Sequence, residues 1–134
     1  MKHFSIRELT ASAVARRRGY DNTPPEDVRR NLVALTDNVL DPLREAYGKP
    51  IFVTSGYRCP RLNKAVGGAK GSQHLTGQAA DIRSASDEPW ENKLLFDLRQ
   101  SLGLPFDQLI DEHGFDWIHV SFGPRHRRQV LHVR

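Results

Sequence analysis

The sequence predicts an α+β fold: a small, mainly antiparallel sheet with helices packed on one face. Three observations predict it. Apolar residues recur at helical steps in the first third of the chain, at Val28, Leu32, Leu35, Val39 and Leu43. Strict alternation replaces that period near the C-terminus. There Ile118, Val120 and Phe122 fall on one strand face and Trp117, His119 and Ser121 on the other. Helices therefore cluster early and strands late, an order that segregates them into layers. The 134 residues are the size of one domain. Within it the expected parts are N-terminal helices over 1–49, a core carrying the chemistry over 50–122, and a basic tail over 123–134.

Each element has its own signal. Ser5 and Glu8 form a capping box that opens a helix to about Arg18, where Gly19 ends it. Thr23-Pro24-Pro25-Glu26 is a stronger start, with Thr23 as the cap and Pro24 in the first helical position. Pro42 falls inside the apolar pattern of that second helix. It must kink the helix or restart it with Asp41 as a new cap. Gly48 and Pro50 stop it. Ile51 to Ser55 reads as a strand, and Pro60 opens a short helix through about Val66. Gln78 to Arg83 is a second strand, with Ala80 and Ile82 on one face and Asp81 on the other. Ser86-Asp87-Glu88-Pro89 starts a helix carrying Leu94, Leu95, Leu98 and Leu102. Strands are then expected over 106–112 and 117–122, joined by a turn at His113-Gly114-Phe115, with a last edge strand over 129–133.

Composition excludes several classes. The lone Cys59 cannot form an internal disulfide, so the fold does not depend on an oxidising compartment. No apolar run approaches the roughly 20 residues of a membrane span, so no membrane insertion is expected. The first residues carry no apolar leader, which points to synthesis in the cytoplasm and delivery by other means. The net charge is +4, with much of the excess in Arg125, Arg127, Arg128 and Arg134 and a second cluster at Arg16 to Arg18. A solvated face explains such clusters, and so does attraction to a polyanion. The basic tail lacks the interleaved aromatics of a single-strand groove, and no DNA-reading helix precedes it, so no nucleic-acid partner is expected. Gly67 to Gly71 lacks the Lys-Ser/Thr ending of a phosphate cradle.

The chemistry concentrates in two stretches. Ser72 to Asp81 carries His74 and Asp81 on either side of Gly77, and Asp116 to Ser121 adds His119. Two imidazoles and one carboxylate make the ligand set of a catalytic zinc: three protein donors and one position left open. If the two strands are neighbours, His74, Asp81 and His119 converge. Hydrolysis also needs a general base. Asp116, three residues before His119, is the first candidate. Strict alternation turns it away unless a bend or bulge re-aims it, and Glu112, Asp111 and His113 stand close by as alternatives. Arg58, after the first strand, is placed to bind a carbonyl oxygen or a substrate carboxylate. Trp117 offers a stacking surface to substrate, or simply packs half-buried. His3, His126 and His132 read as ordinary surface histidines.

At these residues the sequence resembles the zinc D-alanyl-D-alanine peptidases. The resemblance rests on Ser72-x-His74-x-x-Gly77-x-Ala79-x-Asp81 and Asp116-x-x-His119. Ser55-Gly56-Tyr57-Arg58-Cys59-Pro60-x-x-Asn63 ahead of Gly67-Gly68 adds to it. It covers roughly residues 50–122. That family includes D,D-carboxypeptidases and phage L-alanyl-D-glutamate endolysins, and it shares the compact α+β fold of the hedgehog signalling domain. The resemblance implies one Zn2+ held by His74, Asp81 and His119, with Asp116 as acid/base and Arg58 steadying the substrate carbonyl. Ser72 would lie near the substrate. The implied activity is hydrolysis of peptidoglycan stem peptides by a zinc-activated water. A monomer is expected, and the missing apolar leader fits a phage or prophage enzyme released to the cell wall. The alternative is a non-catalytic module of the same fold that uses zinc for structure or wall binding.

Overall fold

The sheet is built from β1 (Ile51–Ser55), β2 (Ala79–Ser84), β3 (Gln108–Glu112), β4 (Trp117–Ser121) and β5 (Gln129–Val133), in a computed structural model that describes residues 1–133. Its spatial order is β1-β2-β4-β3-β5. The β1–β2, β2–β4 and β3–β4 pairs are antiparallel, and β5 alone runs parallel to its neighbour β3. The helices are α1 (Ile6–Thr10), α2 (Ala13–Arg18), α3 (Glu26–Leu35), α4 (Asp41–Tyr47), α5 (Pro60–Ala65) and α6 (Pro89–Ser101). The architecture is the expected α+β one. Among the described residues no helix is long and apolar enough to cross a membrane.

The N-terminal helices differ from expectation in detail. Ser5 does cap α1 by accepting the Glu8 N–H at 3.1 Å. The single helix expected to Arg18 is broken, however, because Ser12 stops it and caps a new one through the Ala15 N–H. α3 begins two residues later than the Thr23 signal suggests, with Pro25 in extended conformation before Glu26. Its apolar face is buried as the spacing requires: Val28, Leu32, Leu35, Val39 and Leu43 all lie in the core. Full burial of each is worth about 1.5–3 kcal/mol.

Pro42 is accommodated by a wider turn. Residues Thr36–Leu40 form a π-helical segment, and the Asp41 N–H donates to the Thr36 carbonyl five residues back. Proline lacks an N–H and its ring crowds the preceding turn, so loosening the coil here removes both conflicts. Asp41 is helical and caps nothing. Its carboxylate instead accepts the Lys2 and His3 N–H groups at 2.7 and 3.0 Å, tying the N-terminus down.

On the sheet, Ala80 and Ile82 of β2 and Ile118 and Val120 of β4 face the helices, and Leu95 and Phe96 of α6 are buried in the same core. Of the leucines that α6 carries, Leu94 is exposed, while Asn92 is fully buried. The Asn92 side chain accepts the Ser84 N–H at 2.8 Å and donates to the carbonyls of Phe115 and Asp116 at 2.8 and 3.3 Å. It thereby joins the end of β2 to the turn before β4. The opposite sheet face, carrying Asp81, Trp117 and His119, is free to form a site.

Candidate metal centre and its cleft

Gly77 is the hinge of the first motif. The short turn Gln73–Thr76 coils tightly and ends on Gly77 in left-handed conformation, φ 74°. A Cβ at Gly77 would also lie 2.8 Å from the Val28 carbonyl oxygen, so only glycine fits. Asn31 of α3 fixes the same turn by donating to the Thr76 carbonyl at 2.8 Å. The helical layer thus sets the position of His74.

The His74 ring is buried, with Nδ1 2.7 Å from the Gly56 carbonyl oxygen. A carbonyl only accepts, so Nδ1 donates to it, and Nε2 is the ring atom turned toward Asp81. Nε2 lies 3.4 Å from Asp81 Oδ1. Asp81 and His119 are paired directly across β2 and β4, and His119 Nδ1 lies 3.0 Å from the same Asp81 oxygen. One donor atom from each of His74, Asp81 and His119 falls within 4.8 Å of the others. Burial by itself raises the Asp81 carboxyl pKa. Hydrogen bonds from His119 and His74, with their charge, outweigh it and hold the group well below the ordinary carboxylate value.

This donor set fits zinc. Two imidazole nitrogens and one carboxylate oxygen converge on one point, and a backbone carbonyl orients one ring from behind, as metal-ligating histidines require.

Arg58 flanks the group. Its Nη2 is 3.8 Å from Asp81 Oδ2, while Nε donates to Ser55 Oγ and Nη1 to Asn63 Oδ1, both at 3.2 Å. An irregularity in β1 at Thr54 places Ser55 opposite Asp81. The Arg58 N–H also donates to the His74 carbonyl at 3.0 Å, which ties the loop after β1 to the His74 turn.

These residues open into a cleft of about 460 Å³. Arg58, Ser72, His74, Asp81, Trp117 and His119 all line it. The Ser72 hydroxyl accepts the His74 N–H at 3.2 Å, so it caps the turn as well as facing the cleft. Trp117 is half-buried and donates its indole N–H to Glu112 Oε2 at 2.9 Å.

Asp116 is not gathered with them. The register from Glu112↔Trp117 to Leu109↔Val120 runs without a bulge, so nothing re-aims the residue before Trp117. Asp116 is exposed in the turn between β3 and β4, where its N–H donates to the Glu112 carbonyl at 3.1 Å. Asp111 faces away and pairs with His132, and the His113 ring lies tilted against Trp117. Of the four neighbouring groups, Glu112 is the one on the cleft wall.

Four further cleft residues carried no signal as a site in the sequence. Gln73, Arg125 and Arg127 line the cleft, and buried Asp107 binds Gln73 and Arg127 from behind. The arginines belong to the stretch expected as a basic tail. It folds back as a cleft wall and then as β5. Charge runs do not reveal such a return; only the parallel β3–β5 pairing does.

Comparison with known proteins agrees with the geometry. The sequence matches the family described as peptidase M15 over residues 2–121. It is also similar to the zinc D-Ala-D-Ala carboxypeptidase of Streptomyces albus G, with 46% identity over 48 residues. That stretch covers 35% of this chain and 19% of the Streptomyces protein. Because the match extends over the helices, the first four strands and the whole His-Asp-His group, the chain belongs to the peptidase M15 family.

Proposed function

We propose that this chain is a zinc-dependent peptidase that hydrolyses peptidoglycan stem peptides, at the D-Ala–D-Ala bond or at the L-Ala–D-Glu bond. The observation that carries this reading is the convergence of His74, Asp81 and His119 in an open cleft beside Arg58. Zinc held by those three residues supplies a Lewis acid that activates water and polarises a carbonyl. The protein's own groups do the rest. Arg58 is held by Ser55 and Asn63, which leaves its charge preorganised for the oxygen that becomes negative as the carbonyl is attacked. A carboxylate must take the proton of the attacking water and return it to the leaving nitrogen. The family resemblance gives that role to Asp116. The cleft geometry favours Glu112, because Glu112 faces the metal-ligand group and the Trp117 N–H fixes one of its oxygens. Trp117 offers its ring, and Ser72 its hydroxyl, to the bound peptide.

The test is product analysis by mass spectrometry. Purified peptidoglycan is incubated with zinc-loaded protein, with a chelated control alongside. Free alanine in the zinc sample alone indicates D,D-carboxypeptidase action, and opened stem peptides indicate an endolysin. Zinc-loaded protein that binds the wall and releases nothing would point to the non-catalytic module and overturn the proposal.

A further inference from the structure

We propose that Arg125 is a specificity residue that binds a free α-carboxylate on the substrate residue released from the cut bond. This rests on the peptidase reading of the same cleft. The loop between β4 and β5 is pinned at both ends. Phe122 N–H donates to the Gln78 carbonyl at 2.9 Å, and Arg128 and Gln129 donate to the carbonyls of Phe106 and Asp107 at 3.1 and 2.9 Å. The loop therefore presents Arg125 and Arg127 to the cleft from a fixed frame.

Behind them the Asp107 side chain is fully buried. Arg127 grips it with both arms of its fork, Nε to Oδ1 at 2.6 Å and Nη2 to Oδ2 at 3.0 Å. Gln73 Nε2 donates to Oδ2 at 2.8 Å. Asp107 is thus satisfied by Arg127 and Gln73. Arg125 Nη2 lies 3.9 Å from Oδ2, beyond hydrogen-bond reach, and its side chain is 65% exposed. Two guanidiniums against one carboxylate leave one positive charge over. The other carboxylates on the cleft do not pair with Arg125: Asp81 is held among His74, His119 and Arg58, and Glu112 accepts from Trp117.

Both candidate bonds release a residue that suits this cation. In D-Ala–D-Ala the departing D-Ala carries a free α-carboxylate one carbon from the leaving nitrogen. In L-Ala–D-Glu the D-Glu continues through its γ-carboxyl, so its α-carboxylate is free at the same place. A cation here therefore reads the leaving residue without distinguishing the two bonds.

The experiment uses two matched peptide pairs with zinc-loaded protein. One pair ends in D-Ala-D-Ala as the acid or as the carboxamide. The other contains L-Ala-D-Glu or L-Ala-D-isoglutamine. In the pair that is cleaved, the acid should be preferred roughly ten-fold in kcat/KM, mostly through KM. Arg125→Ala should abolish that preference and Arg125→Lys should restore most of it. Equal rates for acid and amide in the native chain, or an unchanged ratio in Arg125→Ala, would overturn the assignment. The same peptides N-methylated at the scissile nitrogen are measured for affinity by calorimetry. If nothing is cleaved the peptidase reading fails, and the acid-to-amide ratio of Kd in native and Arg125→Ala chains still decides the role of Arg125.

Discussion

Asp81 and His119 occupy paired positions on β2 and β4, and their side chains meet at 3.0 Å on the sheet face turned away from the helices. The pairing of Ala80 with Val120 and of Ile82 with Ile118 buries the neighbouring residues on the other face. A slip of one residue would exchange the two faces, so the burial of the core also fixes the two candidate metal ligands.

Substitution of His119 or His74 by Ala, or of Asp81 by Asn, should lower zinc affinity by more than about 100-fold, because even partners behind metal ligands are worth 10–100-fold. Competition with a chromogenic chelator measures it, and circular dichroism checks the fold. Native-like affinity in any of the three variants would remove that residue from the ligand set.

Glu112→Gln should reduce peptide hydrolysis by roughly 10²–10⁴-fold while zinc remains bound, the range for loss of a general base. Asp116→Asn should stay within a few-fold of the native rate, since its side chain is exposed in the turn outside the cleft. The reverse ranking would return the role to Asp116.

Gly56 connects packing to the metal group. A Cβ there would sit 2.0 Å from the Leu9 carbonyl oxygen, backbone that cannot move aside cheaply. The Gly56 carbonyl also accepts the His74 Nδ1 hydrogen. Gly56→Ala should therefore cost about 1–3 kcal/mol in denaturant unfolding and weaken zinc binding roughly 10-fold or more. Lost stability with unchanged zinc affinity would separate the two effects and contradict the coupling.

The acid limb of stability should depend on Asp107. Its hydrogen bonds from Arg127, with help from Gln73, hold its carboxyl below the ordinary value despite burial. The folded chain then binds fewer protons at this site than the unfolded one. The stabilisation is present above the unfolded carboxyl value of about 3.9 and is lost as pH falls through the lower folded value. Asp107→Asn should be less stable than the native chain at neutral pH, with the gap narrowing below about pH 4. Urea midpoints measured from pH 7 to pH 2 check this. A gap that is constant or widens toward acid would contradict it.

Much of this was legible in the sequence because it rests on local signals. β1 and β4 follow from β-branched residues and alternation, and the buried face of α3 follows from its 3.6-residue period. His74, Asp81 and His119 were identified by residue type and by the turn at Gly77. What was illegible depended on contacts between distant segments. Asp41 reads locally as a cap, but its partners are the N–H groups of Lys2 and His3. The leucines of α6 do not reveal which face packs, because that face is set by Asn92 bridging Ser84 to the β3–β4 turn. Arg125 and Arg127 read as a solvated tail until β5 pairs with β3 and folds them over the cleft. Where the Asp116 side chain lies depends on whether β4 begins with a bulge, which residue types do not reveal, and its register is regular.

The most direct measurement is X-ray absorption at the zinc edge of the chain loaded with one equivalent of metal. The expected spectrum has two imidazoles and oxygen donors at roughly 2.0–2.2 Å, and His119→Ala should lose one imidazole shell. A sulfur shell near 2.3 Å, which would point to Cys59, or a spectrum unchanged by His119→Ala, would contradict a zinc centre built from His74, Asp81 and His119.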